Sequence, residues 1–295
     1  MTLPEFFVGI ARLSGLLFVV PSMLAMGLSL TMAQIIAPLR NIRLVILALL
    51  ANFLLVPLLA YLILWLIPLE QSLQIGLIVL ATAAGAPFLP KLVQGARGNV
   101  AFGVGLMVLL MVVTIIYMPF VLPRLIQGVQ VNPWDIAESL IVLMLIPLTI
   151  GLLIKSLSPD LATQWKPVLN QVSSVAILVL LVVGLGLNIA KILSLIGTGG
   201  ILALLLFIIV SLVIGFLLGG REPADRSVMG LGAAQRNVAA AIVVTAQNFS
   251  GGNTLSFILV GAVLMLLILL PTALRLGARG GAETEAEDPA AAPES

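Results

Sequence analysis

Residues 83–95 read AAGAPFLPKLVQG and residues 230–241 read GLGAAQRNVAAA. Each stretch sets one cation, Lys91 or Arg236, in a chain that is otherwise almost wholly apolar. All twelve Asp and Glu fall in expected loops or in the C-terminal tail, so neither cation has an obvious carboxylate partner within a hydrophobic run. A charge at the bilayer centre costs at least about 2.5–3.5 kcal/mol on insertion scales, and by default it marks a substrate or ion pathway. Both stretches are interrupted by Gly, Pro or polar residues, one in each half of the chain. Paired interrupted segments of this kind point to a carrier's binding site near the midplane.

Composition sets the class. Hydrophobic residues make up 61% and charged residues 9% of the 295, against roughly 25% charged in a soluble domain. A hydrocarbon core about 30 Å thick takes about 20 apolar residues per helical crossing, and runs of that kind recur along the chain. A soluble helical bundle would need polar helix faces that this sequence lacks. There is no Cys and no His, which removes disulfides, thiolate sites and the commonest proton shuttle and metal ligand. A formal charge of +2 with scattered basic residues gives no nucleic-acid footprint. The N-terminal MTLPEFFVGIARLSG reads as a short amphipathic lead-in rather than a cleaved signal peptide.

These runs predict an all-α integral membrane protein of about ten transmembrane helices, with nine or ten crossings depending on whether 87–97 counts as a full span: 14–32, 42–67, 72–86, 87–97, 99–122, 137–156, 168–190, 199–218, 226–248 and 254–275. Helices follow because lipid leaves backbone groups no partners outside a helix or a closed barrel, and the runs lack the alternation of barrel strands. Each half begins with a Pro-containing helix (Pro21, Pro147) and ends with a polar broken segment followed by a clean apolar helix. Five spans per half would make two inverted repeats, about 1–126 and 133–279, within a single transmembrane domain over 1–279. With ten crossings and a cytoplasmic N-terminus, inside loops would hold Arg12, Arg97, Lys155, Lys166, Arg221, Arg226, Arg275 and Arg279. Outside loops would hold Arg40, Arg43, Arg124 and Lys191. Eight against four places both termini in the cytoplasm of a multi-pass cell (inner) membrane protein. Residues 280–295, rich in Ala, Pro and Glu, read as a disordered acidic tail.

The broken segments carry the chemistry. Non-helical backbone at membrane depth is tolerated where it lines a cavity or is buried in protein, and it exposes helix ends that hold ions. Gly85, Pro87 and Pro90 precede Lys91 in the first, and Gly230 and Gly232 precede Gln235-Arg236-Asn237 in the second. Asn52 is a polar residue inside the second span. Asn52, Pro90, Lys91, Gln235, Arg236 and Asn237 are therefore expected around one cavity as the substrate-binding residues, with no catalytic residues and no metal ligands. Snorkelling of Lys91 to the headgroups, and simple interhelical hydrogen bonding by Asn52, are the plainer readings of those two residues.

The motifs VVPSMLAMGLSL (19–30), NFLLVPLLAYL (52–62), GARGNVAFGVGLM (95–107) and QRNVAAAIVVTAQNF (235–249) resemble the bile acid:sodium symporter family over roughly residues 14–275. The resemblance implies two inverted five-helix repeats forming a panel and a core domain, broken fourth and ninth helices that cross at the site, and two sodium ions that drive uptake of an organic anion. Carried over, most sodium ligands fail. A Ser-Asn pair falls on Leu89-Pro90, two hydroxyl ligands on Gly103 and Met107, a glutamate on Gly232, and a glutamine on Arg236. Asn237 is retained, and Asn52 matches a polar residue of the second helix.

The resulting expectation is a secondary carrier for a small organic anion, working in the lipid bilayer with no cofactor. Lys91 and Arg236 would replace the positive charge that sodium supplies elsewhere, and Arg236 would bind a carboxylate bidentately. Arg236→Gln should then weaken substrate binding. The alternatives are sodium coupling through backbone carbonyls, an efflux carrier, and, more remotely, a non-transporting membrane receptor. An intramembrane enzyme is the least favoured reading and no enzyme is expected, because no His, Cys or acidic residue is available within the spans for acid–base or metal chemistry.

Overall fold

The computed structural model describes residues 3–36, 40–126, 132–187, 197–249 and 253–287, and among these every regular element is helical. In chain order the helices are α1 (Leu3–Ser29), α2 (Met32–Ile36), α3 (Ile42–Leu50), α4 (Val56–Leu66), α5 (Gln71–Thr82), α6 (Leu89–Gly95) and α7 (Val100–Leu125). They continue with α8 (Pro133–Leu140), α9 (Ile146–Leu157), α10 (Pro159–Leu187), α11 (Gly200–Leu218), α12 (Pro223–Ala234), α13 (Val238–Asn248) and α14 (Thr254–Glu287). Short π-helical turns, Ala51–Leu55 and Ile141–Leu145, join α3 to α4 and α8 to α9. Among the described residues six helical segments are long and apolar enough to cross a membrane: Ile42–Leu66, Val100–Leu125, Pro133–Leu157, Gly200–Leu218, Pro223–Asn248 and Thr254–Ala278. Pro223–Asn248 is almost entirely buried, whereas Pro133–Leu157 and Gly200–Leu218 turn most of their surface outward. One broken segment therefore lies at the centre, and the other five each leave part of their apolar surface facing outward.

The described residues favour the lower of the two expected counts, nine crossings rather than ten. Spans 72–86 and 87–97 are the two arms of one broken segment, α5 and α6, separated by non-helical Ala83–Ala86. The 12 residues of α5 rise only about 18 Å at 1.5 Å per residue, too short to cross alone. Contacts at the two membrane faces give the same answer. Asn253 Nδ2 donates to Glu70 Oε1 at 2.8 Å and Thr254 Oγ1 to the Ser72 carbonyl at 2.9 Å, so residues 70–72 and 253–254 share a face. On the other face Asn99 Nδ2 donates to Asp225 Oδ1 at 2.9 Å, and Gly277 lies against the Gly95 carbonyl. A ten-crossing path would put residues 70 and 253 on opposite faces. The described residues make nine crossings: α1, α3–α4, α5–α6, α7, α8–α9, α10, α11, α12–α13 and α14.

Other departures have local causes. Pro4, in the first turn of α1, is tolerated there, and the N-terminal lead-in joins the first span as one helix, Leu3–Ser29. The span expected over 168–190 begins at Pro159, another first-turn proline, with Asp160 beside the helix N-terminus; its last three residues, like Lys191, lie outside the described residues. Helix α14 continues to Glu287, past the Gly280 boundary expected for the tail, and residues 288–295 lie outside the described residues.

Helix α1 packs against α10 and α9. At its contact with α9, Gly27 and Gly151 face each other so closely that a Cβ on either would fall 2.3–2.4 Å from a backbone carbonyl oxygen of the partner helix. Small residues permit such backbone approach where no hydrophobic force between helices is available in lipid. Trp65 and Trp134 are exposed at one end of the bundle and Trp165 near the other, where aromatic rings favour the headgroup boundary.

Candidate functional site at the crossing

The chain unwinds twice, at Ala83–Ala86 after α5 and at Gln235-Arg236-Asn237 after α12, and the two unwound stretches meet. The Asn237 N–H donates to the Ala83 carbonyl at 2.8 Å, and its Nδ2 donates to the Gly85 carbonyl at 3.0 Å. Its Oδ1 accepts the Ala240 N–H at 3.1 Å and so caps α13. One side chain thus fixes the crossing and starts the next half-helix. Thr114 of α7 holds the first stretch from behind: its hydroxyl accepts from the Ala84 N–H at 3.0 Å and donates to the Ala84 carbonyl at 3.1 Å. Gly85 has φ +78°, and a Cβ there would fall 2.2 Å from the Met111 backbone nitrogen. Only glycine fits.

Arg236 is fully buried, with 0% exposure. Its Nε donates to the Leu80 carbonyl at 3.0 Å and one terminal nitrogen to the Ala81 carbonyl at 2.7 Å. The other terminal nitrogen donates to the Ala233 carbonyl at 3.2 Å and to Asn52 Oδ1 at 2.7 Å. The three carbonyls lie in the last turns of α5 and α12, where helices leave orphan acceptors. Each helix C-terminus carries roughly half a negative charge. Two such ends converge here, and a single guanidinium is the charge that balances them.

Asn52 is aimed by its own helix. It lies in the π turn Ala51–Leu55, a distortion common at functional positions, and its Nδ2 donates to the Ala48 carbonyl at 3.0 Å. Pro57 has no N–H to offer the carbonyl four residues back, that of Phe53. The Tyr117 hydroxyl takes that acceptor at 2.9 Å, with the two rings packed 4.8 Å apart. A proline, a π turn and a tyrosine from α7 therefore present Asn52 to Arg236.

Of the six residues expected at one cavity, the structure joins Asn52, Arg236 and Asn237 through the crossing. Gln235 is buried in the same unwound stretch, and its Oε1 has no hydrogen-bond partner. Pro90 is half-buried in the first turn of α6. Lys91 is exposed, its Nζ 5.8 Å from the centre of the Phe88 ring. The two cations are thus in different surroundings: one is enclosed by protein oxygens and the other is open. With 0% exposure Arg236 has no face free for a carboxylate in this conformation. Sequence reasoning missed Thr114, Tyr117 and the Leu80, Ala81 and Ala233 carbonyls. A lone hydroxyl within an apolar run was the available signal for Thr114; backbone acceptors leave none.

A helical membrane protein whose two broken segments cross at a buried charge has the form of a transporter. The model of the sodium bile acid symporter family matches residues 16–195, well over half of the chain, and the chain belongs to that family. No curated protein matches it. Members of the family are transporters rather than enzymes, and this chain is a multi-pass membrane transporter of the bile acid symporter type. The match ends before α11, so the segment bearing Arg236 lies beyond it.

Proposed function

We propose that the chain carries a small organic anion by alternating access without sodium, the Arg236 guanidinium being the cation that the crossing needs. The observation behind this reading is the oxygen cage around that guanidinium: three carbonyls and an amide oxygen, with no exposed surface. Carbonyl and amide oxygens are the ligands a hard cation takes, and here a side chain already uses them. The position that the resemblance pairs with a sodium-binding glutamate, Gly232, faces hydrocarbon. The atoms nearest to a Cβ there are side-chain carbons of Leu89 and Leu106, at 3.4–3.9 Å, and both leucines are buried. Neither place offers a sodium ion a free set of ligands. Lys91, whose charge is exposed, is the cation we assign to the anion.

The nine-crossing path supports an inverted arrangement in which α3 to α7 and α11 to α14 repeat the order helix, broken helix, long helix from opposite faces. The first half then has four crossings rather than five. Termini fall on opposite faces. The C-terminal face holds Arg40, Arg43, Arg97, Lys155, Lys166, Arg221, Arg226, Arg275 and Arg279, and the other holds Arg12, Arg124 and, by its place in the chain, Lys191. Nine against three is a stronger bias than the eight against four of a ten-crossing path, and it assigns the C-terminus to the cytoplasm and the N-terminus outside.

The test is uptake into proteoliposomes of a labelled bile acid and a set of smaller carboxylates and sulfonates, in sodium chloride and in choline chloride. At least one anion is expected to enter above the protein-free level at the same initial rate in both salts. Uptake that occurs only in sodium overturns the reading.

A further inference from the structure

A mobile cation that balances a carrier's crossing arrives from water and departs with the substrate, so its charge is transported too. The cation at this crossing cannot depart. Arg236 belongs to the chain, and its buried guanidinium is held by the Leu80, Ala81 and Ala233 carbonyls and by Asn52 Oδ1. Asn237 fills the Ala83 and Gly85 carbonyls, and Thr114 fills both backbone groups of Ala84. The crossing is thus balanced by donors of the chain itself. A proton has no evident carrier either, because the carboxylates keep to the helix ends. Glu5, Asp135, Asp160 and Asp225 lie in the first turns of α1, α8, α10 and α12, and Glu70 and Glu222 directly precede α5 and α12. Glu138 is exposed in the second turn of α8, and the remaining Asp and Glu begin at Glu283. Neither unwound stretch holds one, and the chain has no His and no Cys. Proton relays through a membrane are built from such groups within the spans.

Over a full cycle Arg236 and Lys91 return to where they began, so fixed charges add nothing to the charge moved. What crosses is the anion's own charge, with no ion beside it. Each inside-negative potential of about 59 mV then holds a singly charged anion about tenfold higher outside than inside. Strict exchange of one anion for another would follow if the unloaded crossing were left with an unbalanced charge, and here the chain balances it. Lys91 is exposed, so its charge need not be stripped of water when the anion leaves. We infer that the chain is a voltage-driven uniporter, which at an inside-negative membrane lets a singly charged organic anion out. This direction rests on the sodium-free reading above and adds to it the driving force.

The test uses the full chain in sodium-free proteoliposomes, with the potential set by potassium gradients and valinomycin and with protein-free vesicles as background. The probes are labelled taurocholate and isethionate, sulfonates that keep one negative charge at any working pH. Tenfold more potassium outside makes the interior positive by about 59 mV, and a transported probe should accumulate inside to about tenfold its outside concentration. Reversing the gradient should hold it about tenfold below, a hundredfold span between the two arms. A pH gradient imposed at zero potential should drive no accumulation. Equal sodium-free entry at both polarities, or accumulation that follows the pH gradient, overturns the inference and leaves the sodium-free carrier in place. Entry of neither sulfonate, with or without sodium, also overturns it. Entry of a sulfonate only once sodium is added removes the sodium-free reading itself, and the inference falls with it.

Discussion

Replacing Arg236 by alanine is expected to cost about 3–5 kcal/mol of stability, the usual penalty for removing one partner of a buried charged set. The deletion leaves the Ala81 and Ala233 carbonyls and Asn52 Oδ1 without their donor in a dry crossing, and leaves the Leu80 carbonyl with the Ala83 N–H at 3.3 Å. Each unsatisfied group costs about 1–3 kcal/mol, partly offset because the guanidinium no longer has to be desolvated. Two helix C-termini would also face each other with nothing between them. The consequence is a steep fall in the yield of folded, monodisperse protein and loss of transport. The cage itself survives the change, so a small cation can enter it. Guanidinium chloride at low millimolar concentration, far below denaturing levels, should raise the melting temperature of the Arg236→Ala variant and leave the parent unmoved. Arg236→Lys should fall between the two, because an ammonium restores the charge but not the planar fork of donors. A variant as stable as the parent would show that the cage is not what holds the crossing.

Gly85→Ala is expected to be nearly as severe for a steric reason. The residue has φ +78°, and the added Cβ would fall 2.2 Å from the Met111 nitrogen and 2.6 Å from its Cα. Both atoms belong to the backbone of α7 and cannot rotate away. The unwound stretch must lift off α7, which breaks both Thr114–Ala84 bonds and the Asn237–Gly85 bond. Three buried hydrogen bonds lost together amount to about 3 kcal/mol or more, before the strain of a left-handed alanine at about 1–2 kcal/mol. Gly186→Ala is the control, because nothing lies within 4 Å of the position its Cβ would take. Melting curves of the two variants in the same detergent should separate widely. Equal curves would mean that α7 does not hold the crossing as described.

Much of this site is legible in the sequence alone. Arg236, Asn237 and Asn52 stand out because polar groups in apolar runs have few explanations, and the structure brings all three together. Their presence is legible and their use is not. The acceptors that enclose Arg236 are backbone carbonyls, which every residue carries, so the sequence suggests a cation awaiting an anion where the fold supplies one already satisfied. The crossing count stays open between nine and ten in the sequence for a related reason. Residues 72–86 are apolar enough to suggest a full span, and only the unwinding at Ala83–Ala86 shows that α5 stops midway. The ties Asn99–Asp225 and Asn253–Glu70 are out of reach because they join residues far apart in the chain. Lys91 and Arg236 look alike in sequence, and burial separates them completely.

The central claim is that the cation of the crossing is part of the chain, and it can be tested without knowing the substrate. A ligand that binds only the folded protein stabilises it by RT ln(1 + [L]/Kd), about 2.7 kcal/mol at a hundredfold excess over Kd. Thermal unfolding of the purified parent protein, followed as sodium chloride replaces choline chloride at constant ionic strength, reads that term directly. The account predicts a melting temperature independent of sodium. A saturable rise with sodium that choline does not reproduce would mean that sodium still binds, and would contradict it.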